Sequence, residues 1–309
     1  MSLLLLAPHR NNMQTWKEAL LEEDPNLDVE IWSDVEDKER VQFIVSWNQP
    51  KRTLNQFPNL KVVSSLGTGV DHILRDEHLP ENVSVCRVVS SSLVRQMQEY
   101  VLMAVLDYQR NLHTYFRQRS EREWREHPNK TIDEIPVGVM GLGKLGAPVA
   151  QMLAKNGYQV AGWSYSKKEL DGIETFVYDE LEQFLKTTRI LVCLLPLTSE
   201  THGILDLDLF KKLEHPAYLI NVARGEHLVD EDLIYALETG WIEGACLDVF
   251  SEEPLPDRHP FWNRKQIMIT PHAASFTPPH EVAEQVVENY KRALSGMELL
   301  NEVDLEKGY

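Results

Sequence analysis

The sequence predicts an α/β protein with two parallel-sheet lobes, on three observations. Short apolar runs alternate with amphipathic stretches of helical period, the pattern of a mainly parallel sheet flanked by helices. At 309 residues the chain is long enough for about two domains. A glycine-rich turn first appears after residue 140, so one strand–helix series precedes it and a second follows.

In the first series the strand candidates are residues 3–6, 29–32, 43–45, 62–65 and 83–85. Each is rich in Val, Ile, Leu or Phe and bounded by turn or charged residues. A helix is expected over residues 11–23, and Gly67-Thr68-Gly69 reads as a turn. One long helix is expected over residues 96–119. Residues 120–133 are charged, contain Pro128, and read as a surface connection. The second series runs over residues 135–270. The tail opens a helix at Pro278-Pro279, where proline is tolerated in a first turn, and carries it to about Leu294.

Composition narrows the class. Hydrophobic residues at 43% and charged residues at 26% are ordinary for a soluble globular chain. A formal charge of -17 argues against binding a nucleic-acid backbone, which needs a basic face. It leaves anionic small molecules open, because one local Arg or Lys outweighs a distant field. The leucines at positions 3–6 lack a basic residue before them and are soon followed by Pro8 and Arg10. They fit a buried first strand better than a leader. No stretch reaches the ~18 apolar residues of a membrane helix. Cys86, Cys193 and Cys246 are odd in number and far apart, which suits reduced thiols in the cytoplasm.

Val137-Gly138-Val139-Met140 reads as a strand, and Gly141-Leu142-Gly143-Lys144-Leu145-Gly146 follows directly. A helical pattern over residues 147–155 then stops at Asn156-Gly157, and residues 158–163 supply the next strand. Glycines at this spacing give a tight turn, close approach of a pyrophosphate, and close helix–strand packing. The helix N-terminus adds N–H donors and the positive end of its dipole. Three glycines could serve a packed turn alone, but here every element stands in the order a dinucleotide site requires. Gly141, Gly143, Lys144, Leu145 and Gly146 are therefore the candidate cradle.

The end of the second strand bears on the cofactor. An NAD site usually has an acid there, whereas this chain reads Trp163-Ser164-Tyr165-Ser166-Lys167-Lys168. Hydroxyls and ammonium groups favour a 2′-phosphate, so NADP(H) is preferred to NAD(H), with Ser164, Ser166 and Lys167 as contacts. The plain alternative is that Lys167 and Lys168 form a solvated turn. Leu195, Pro196 and Ala223 complete the candidate cofactor positions, and Asp248 suits a cofactor contact better than a second acid.

Three polar sites fall at the carboxyl ends of expected strands, where ligands bind in open α/β sheets. They are Asn221-Val222-Ala223-Arg224-Gly225, Asp248-Val249-Phe250 followed by Glu253-Pro254, and Thr270-Pro271-His272. Together they suit reduction of a 2-oxo acid. Arg224 would clamp the carboxylate with a planar, always-charged fork, fixing the carbonyl over a nicotinamide. His272 would supply the proton, since its unperturbed pKa lies near working pH. Glu253 would orient the imidazole and stabilise its protonated form. Each alone reads equally as a loop cation, a surface acid and a capping histidine; their succession after a dinucleotide turn is what carries weight. His113, His127, His202, His215, His259 and His280 lack such context, and no His-x-x-x-His metal pair occurs. Gly67, Thr68 and Gly69, followed by Val70-Asp71, form either an anion nest for the substrate carboxylate or an ordinary strand-to-helix turn.

In this order, Leu66-Gly67-Thr68-Gly69-Val70-Asp71, the Gly141 turn, the Arg224 and Asp248 segments with Glu253-Pro254, and Thr270-Pro271-His272 resemble the D-isomer-specific 2-hydroxyacid dehydrogenase family. The resemblance covers nearly the whole chain. Gln96-Met97-Gln98-Glu99-Tyr100, Trp163-Ser164, Glu253-Pro254-Leu255-Pro256 and an ending with Val303-Asp304 and Lys307-Gly308-Tyr309 look like its glyoxylate/hydroxypyruvate reductase branch. That branch often has Arg where this chain has Tyr165, which leaves Lys167 or Lys168 as substitutes. The resemblance implies flavodoxin-like and Rossmann-like lobes with an active-site cleft between them. Residues 1–100 plus 275–309 would bind substrate and residues 101–274 the nucleotide. It assigns Arg224, Glu253 and His272 the roles given above, makes Trp47 a wall of the substrate pocket, and implies a homodimer built through the nucleotide-binding lobe. Two other functions fit the same motifs: an NAD-linked dehydrogenase of a bulkier 2-hydroxy acid, and a dinucleotide-sensing regulator such as a transcriptional corepressor.

Overall fold

A computed structural model describes residues 2–305 and 307–308, so Tyr309 lies outside the described residues. The chain divides into two compact units, residues 1–92 with 277–309 and residues 93–276.

The first unit begins with β1 (Ser2–Leu6), α1 (Met13–Glu23), β2 (Val29–Ile31), β3 (Val41–Ser46) and β4 (Val62–Ser65). A single helical turn, α2 (Asp71–Leu74), and β5 (Ser84–Arg87) complete its sheet segment. The order is β2-β1-β3-β4-β5, and every pairing is parallel. This explains why β1 is leucine from its second residue on: both faces of a central parallel strand are covered, and Leu3, Leu4, Leu5 and Leu6 are fully buried.

The second unit starts with α3 (Ser91–Arg110) and α4 (Leu112–Glu121), then β6 (Val137–Met140), α5 (Gly146–Lys155), β7 (Val160–Trp163) and β8 (Glu174–Phe176). It continues through α6 (Leu181–Lys186), β9 (Ile190–Cys193), α7 (Leu207–Phe210), β10 (Ala217–Asn221), α8 (Asp230–Thr239), β11 (Ile242–Leu247) and β12 (Ile267–Ile269). Its seven strands run β12-β11-β10-β9-β6-β7-β8, all parallel. The order reverses between β9 and β6, which makes the carboxyl ends of these strands the natural ligand edge. Tyr108 of α3 stacks on Tyr218 of β10 with centroids 4.5 Å apart, joining helix layer to sheet.

The tail returns to the first unit as α9 (Pro279–Ser295). Val282, Ala283, Val286 and Val287 pack with Trp16 and Leu20 of α1 in one core. Beyond it the Val303 N–H bonds to the Val85 carbonyl at 2.8 Å, covering the β5 edge. All three cysteines are buried and unpaired, and burial pushes the thiols up, to about 11 for Cys86 and about 12 for Cys193 and Cys246. No helix among the described residues is long and apolar enough to cross a membrane.

One expectation needs correction. The single helix over residues 96–119 starts earlier, at Ser91, and is broken in two at Asn111. Asn111 has φ 57° and ψ 32°, the left-handed region that asparagine tolerates better than most residues. Its side-chain Nδ2 donates to the Pro128 carbonyl at 3.0 Å, so the break is held by the segment read as a surface connection. We expect Asn111→Ala to cost about 2–3 kcal/mol, one part for the left-handed backbone and one for the lost bond. Asn111→Gly should recover the backbone part and cost only about 1 kcal/mol. Urea denaturation ranks the three proteins; equal losses for Ala and Gly would contradict this account.

Candidate active site

The glycine turn closes β6 onto α5. Gly141 has φ +97°, and a Cβ there would fall 2.6 Å from the Leu194 carbonyl oxygen. A Cβ on Gly146 would fall 1.7 Å from the Gly141 carbonyl oxygen, so these two glycines are required by packing. Gly143 differs: a Cβ there would meet nothing within 4 Å. The N–H groups of Gly143, Lys144 and Leu145 make no hydrogen bond among the described residues. An open backbone with unspent donors at a helix start fits a pyrophosphate, so these residues are suited to hold a dinucleotide.

At the end of β7, Ser164 is buried and its hydroxyl donates to the Ser166 carbonyl at 2.8 Å. Lys167 sends its ammonium to the Thr175 carbonyl at 2.5 Å, while Tyr165 and Lys168 face solvent. The loop is therefore anchored to β8 and presents hydroxyl and ammonium groups without an acid between residues 164 and 168. Leu195 and Pro196 follow β9, and Leu195 and Ala223 are buried.

The three strand-end sites come from adjacent strands, β10, β11 and β12. Nδ1 of His272 lies 2.8 Å from Oε2 of Glu253, and both side chains are 33% exposed. The other carboxylate oxygen, Oε1, accepts the Phe250 N–H at 3.0 Å. Burial alone would raise the Glu253 pKa. The His272 bond and charge, the Phe250 N–H and the Arg224 charge outweigh it and hold the carboxyl below its ordinary value. Arg224 is thus near enough to act on the same carboxylate.

The loop bearing His272 is fixed by Asp248. That carboxylate is 1% exposed and accepts from Thr270 Oγ1 at 2.5 Å, the Ala273 N–H at 2.8 Å and the Ala274 N–H at 2.9 Å. The His272 N–H donates to the Asp248 carbonyl at 2.8 Å. Tyr100 of α3 adds a bond to Thr270 Oγ1 at 2.5 Å. His272 itself sits at φ 52°, a left-handed backbone held by these bonds. Asp248 was expected at the cofactor; the bonds it makes here are those of a loop anchor.

Arg224 is positioned from below. Asn221 donates from Nδ2 to the Arg224 carbonyl at 3.0 Å and accepts the Ala223 N–H at 3.2 Å. His227, fully buried, places Nε2 3.2 Å from the Pro196 carbonyl and Nδ1 3.2 Å from the Arg224 nitrogen. With Nε2–H donating to Pro196, Nδ1 is left to accept the Arg224 N–H. The sequence reading missed His227 as a site residue. Its place three residues after Arg224 was the available signal, but nothing in the pattern distinguished it from a core histidine.

The remaining predicted residues lie in the first unit. Trp47 follows β3, and Gly67, Thr68 and Gly69 follow β4. A Cβ on Gly67 would fall 2.9 Å from the Trp47 ring. Ser65 holds the turn, its hydroxyl donating to the Gly69 carbonyl at 2.7 Å and accepting the Gly67 N–H at 3.1 Å.

The family described as D-isomer specific 2-hydroxyacid dehydrogenase, NAD binding domain, matches residues 102–274. Glyoxylate/hydroxypyruvate reductase A of Photorhabdus laumondii is 38% identical over 300 residues, covering 95% of this chain and 96% of that protein. A D-isomer specific 2-hydroxyacid dehydrogenase from Xanthobacter autotrophicus Py2, solved with NADPH and MES, superposes with a TM-score of 0.93 at 39% identity. It covers 100% of this chain and 99% of its own. The NADPH-dependent glyoxylate/hydroxypyruvate reductase of Sinorhizobium meliloti, solved with NADP and sulfate, has a TM-score of 0.92 at 34% identity and 100% coverage of both chains.

The lowered Glu253 pKa has a pH consequence. Its ionised form stabilises the folded state fully above the unfolded value of about 4.3, and this contribution is lost as pH falls through the folded pKa. The difference in thermal midpoint between wild type and Glu253→Gln should therefore shrink as pH falls below about 4. A difference that stays the same or grows over that acid range would contradict the lowered pKa.

Proposed function

The chain belongs to the D-isomer specific 2-hydroxyacid dehydrogenase family, and from that premise we propose that it is an NADPH-dependent reductase of glyoxylate and hydroxypyruvate. The observation that carries the reading is the His272–Glu253 pair at 2.8 Å, with the Arg224 charge acting on the same carboxylate.

A dinucleotide held at Gly143, Lys144 and Leu145 would supply the hydride for the carbonyl carbon of the 2-oxo acid. Arg224 pairs with the substrate carboxylate and polarises the carbonyl, turning a loose encounter into an oriented one. His272 delivers a proton to the carbonyl oxygen as negative charge develops there. Glu253 holds Nδ1, which directs Nε2 to the substrate. The product is the 2-hydroxy acid, in the D configuration where C2 is chiral. The Gly143–Leu145 backbone and the acid-free loop after β7 support NADP(H), with NAD(H) as the weaker cofactor.

The partner of this chain is a second copy of itself in the same proposal. Met103 and Leu106 on α3, Leu112 and Phe116 on α4, and the fully exposed Trp124 leave large apolar side chains exposed on the second unit. Exposed apolar groups on neighbouring helices support self-association through them. Buried, unpaired thiols suit the reducing cytoplasm.

Steady-state assays with glyoxylate and hydroxypyruvate, each with NADPH and NADH, test the reading. Turnover is expected with both acids and a lower KM for NADPH. His272→Ala should lower kcat by about 10²–10⁴-fold with little change in KM. Arg224→Ala should lower kcat and also raise KM. The reverse pattern, or no turnover in any combination, would refute the assignment. Separately, light scattering should show a dimer, and the double variant Leu112→Asp, Phe116→Asp should be monomeric with its thermal unfolding still cooperative.

A further inference from the structure

Arg10 stands at the ligand edge of the first unit's sheet, and the proposed chemistry leaves it without a task. Its N–H closes a turn onto the Ala7 carbonyl at 3.0 Å, just beyond β1. Its guanidinium carbon lies 5.0 Å from the centroid of the Trp47 ring, beyond the neighbouring strand β3. The same indole touches the space beside Gly67, beyond β4, and its centroid is 4.7 Å from that of His72. Loops leaving three adjacent parallel strands therefore converge on one aromatic ring.

Two features there call for an anion. Arg10 is half-buried, and no carboxylate among the described residues pairs with it; burial alone lowers its pKa. A guanidinium remains charged in any case, and the aromatic face offsets only part of the lost hydration. Nearby, the N–H groups of Thr68 and Gly69 make no hydrogen bond among the described residues. Successive free N–H groups form an anion nest. In a chain of formal charge -17, a partly dehydrated cation left without a carboxylate is conspicuous, since acids are plentiful.

Under the proposed reductase function, every substrate carries one carboxylate beside the reacting carbonyl, an anion that the Thr68–Gly69 nest suits. We propose that Arg10 recognises a second, terminal anionic group, so that the chain favours 2-oxo acids carrying a distal carboxylate or phosphate over glyoxylate. The reaction in this inference rests on the reductase reading; the subsite rests on the first unit alone. The guanidinium fork suits either oxyanion bidentately, and the ring behind it fixes its plane.

The test compares wild type, Arg10→Gln and Arg10→Lys in two assays. Turnover with NADPH is measured for glyoxylate, oxaloacetate and 3-phosphohydroxypyruvate. Binding of D-lactate, D-malate and 3-phospho-D-glycerate is measured by calorimetry without cofactor. Arg10→Gln should lower kcat/KM for at least one dianionic acid by about 10–100-fold, the worth of a charge-assisted bond, and for glyoxylate by at most about threefold. Arg10→Lys, which keeps the charge but not the fork, should fall between. Affinity for D-malate or 3-phospho-D-glycerate should drop in parallel while that for D-lactate changes little; the larger loss identifies carboxylate or phosphate. Equal losses for glyoxylate and the dianions would show that Arg10 only supports Trp47 and would overturn the inference. So would wild-type affinity no greater for either dianion than for D-lactate. If wild type reduces none of the acids, the reductase reading falls, and the binding series still decides the subsite.

Discussion

Glu253 and His272 come from loops after different strands, and their 2.8 Å bond is the constraint on which the rest of the site depends. An imidazole on an exposed loop would sample several rotamers and either tautomer. Here a carboxylate fixes Nδ1, and the carboxylate is itself fixed by a backbone N–H from Phe250. The arrangement works only because β10, β11 and β12 are adjacent and parallel, so their carboxyl ends open on one side of the sheet. Sheet order thus brings together residues that the sequence separates widely. The chemistry is inherited from topology.

Close backbone packing is the second condition. A Cβ on Gly225 would fall 1.8 Å from the Phe250 carbonyl carbon, so the Arg224 loop and the segment leading to Glu253 lie against each other with no room for a side chain. His227 then braces the Arg224 backbone from inside the fold. Glu253, Arg224 and His272 are each held by main-chain contacts, which cost little entropy because their elements are already ordered.

Much of this was legible in the residues. The five strands of the first unit and the β6–turn–α5–β7 series follow from runs of apolar residues and from punctuation by glycine, as parallel strands buried on both faces should. Arg224, Glu253 and His272 stood out because they follow successive strand ends downstream of a dinucleotide-type turn. What stayed hidden was tertiary. The break at Asn111 depends on a carbonyl at Pro128, and helical periodicity on either side conceals it. The anchoring role of Asp248 depends on donors from residues 270, 273 and 274, which only the folded loop brings to it. His227 reads as a buried histidine because it is one; its importance lies in what it holds.

The Tyr100–Thr270–Asp248 chain of bonds ties the His272 loop to the middle of α3, one of the longest helices in the fold. Exposed loops usually fray independently of the elements they connect, opening at little free-energy cost. This one is bonded into a helix whose inner face is buried along several turns, so local opening of residues 270–274 must also give up bonds to a half-buried phenol and a buried carboxylate. Its amide protons should consequently exchange with solvent on the slow timescale of the surrounding core, making this strand-end loop a rigid part of the scaffold.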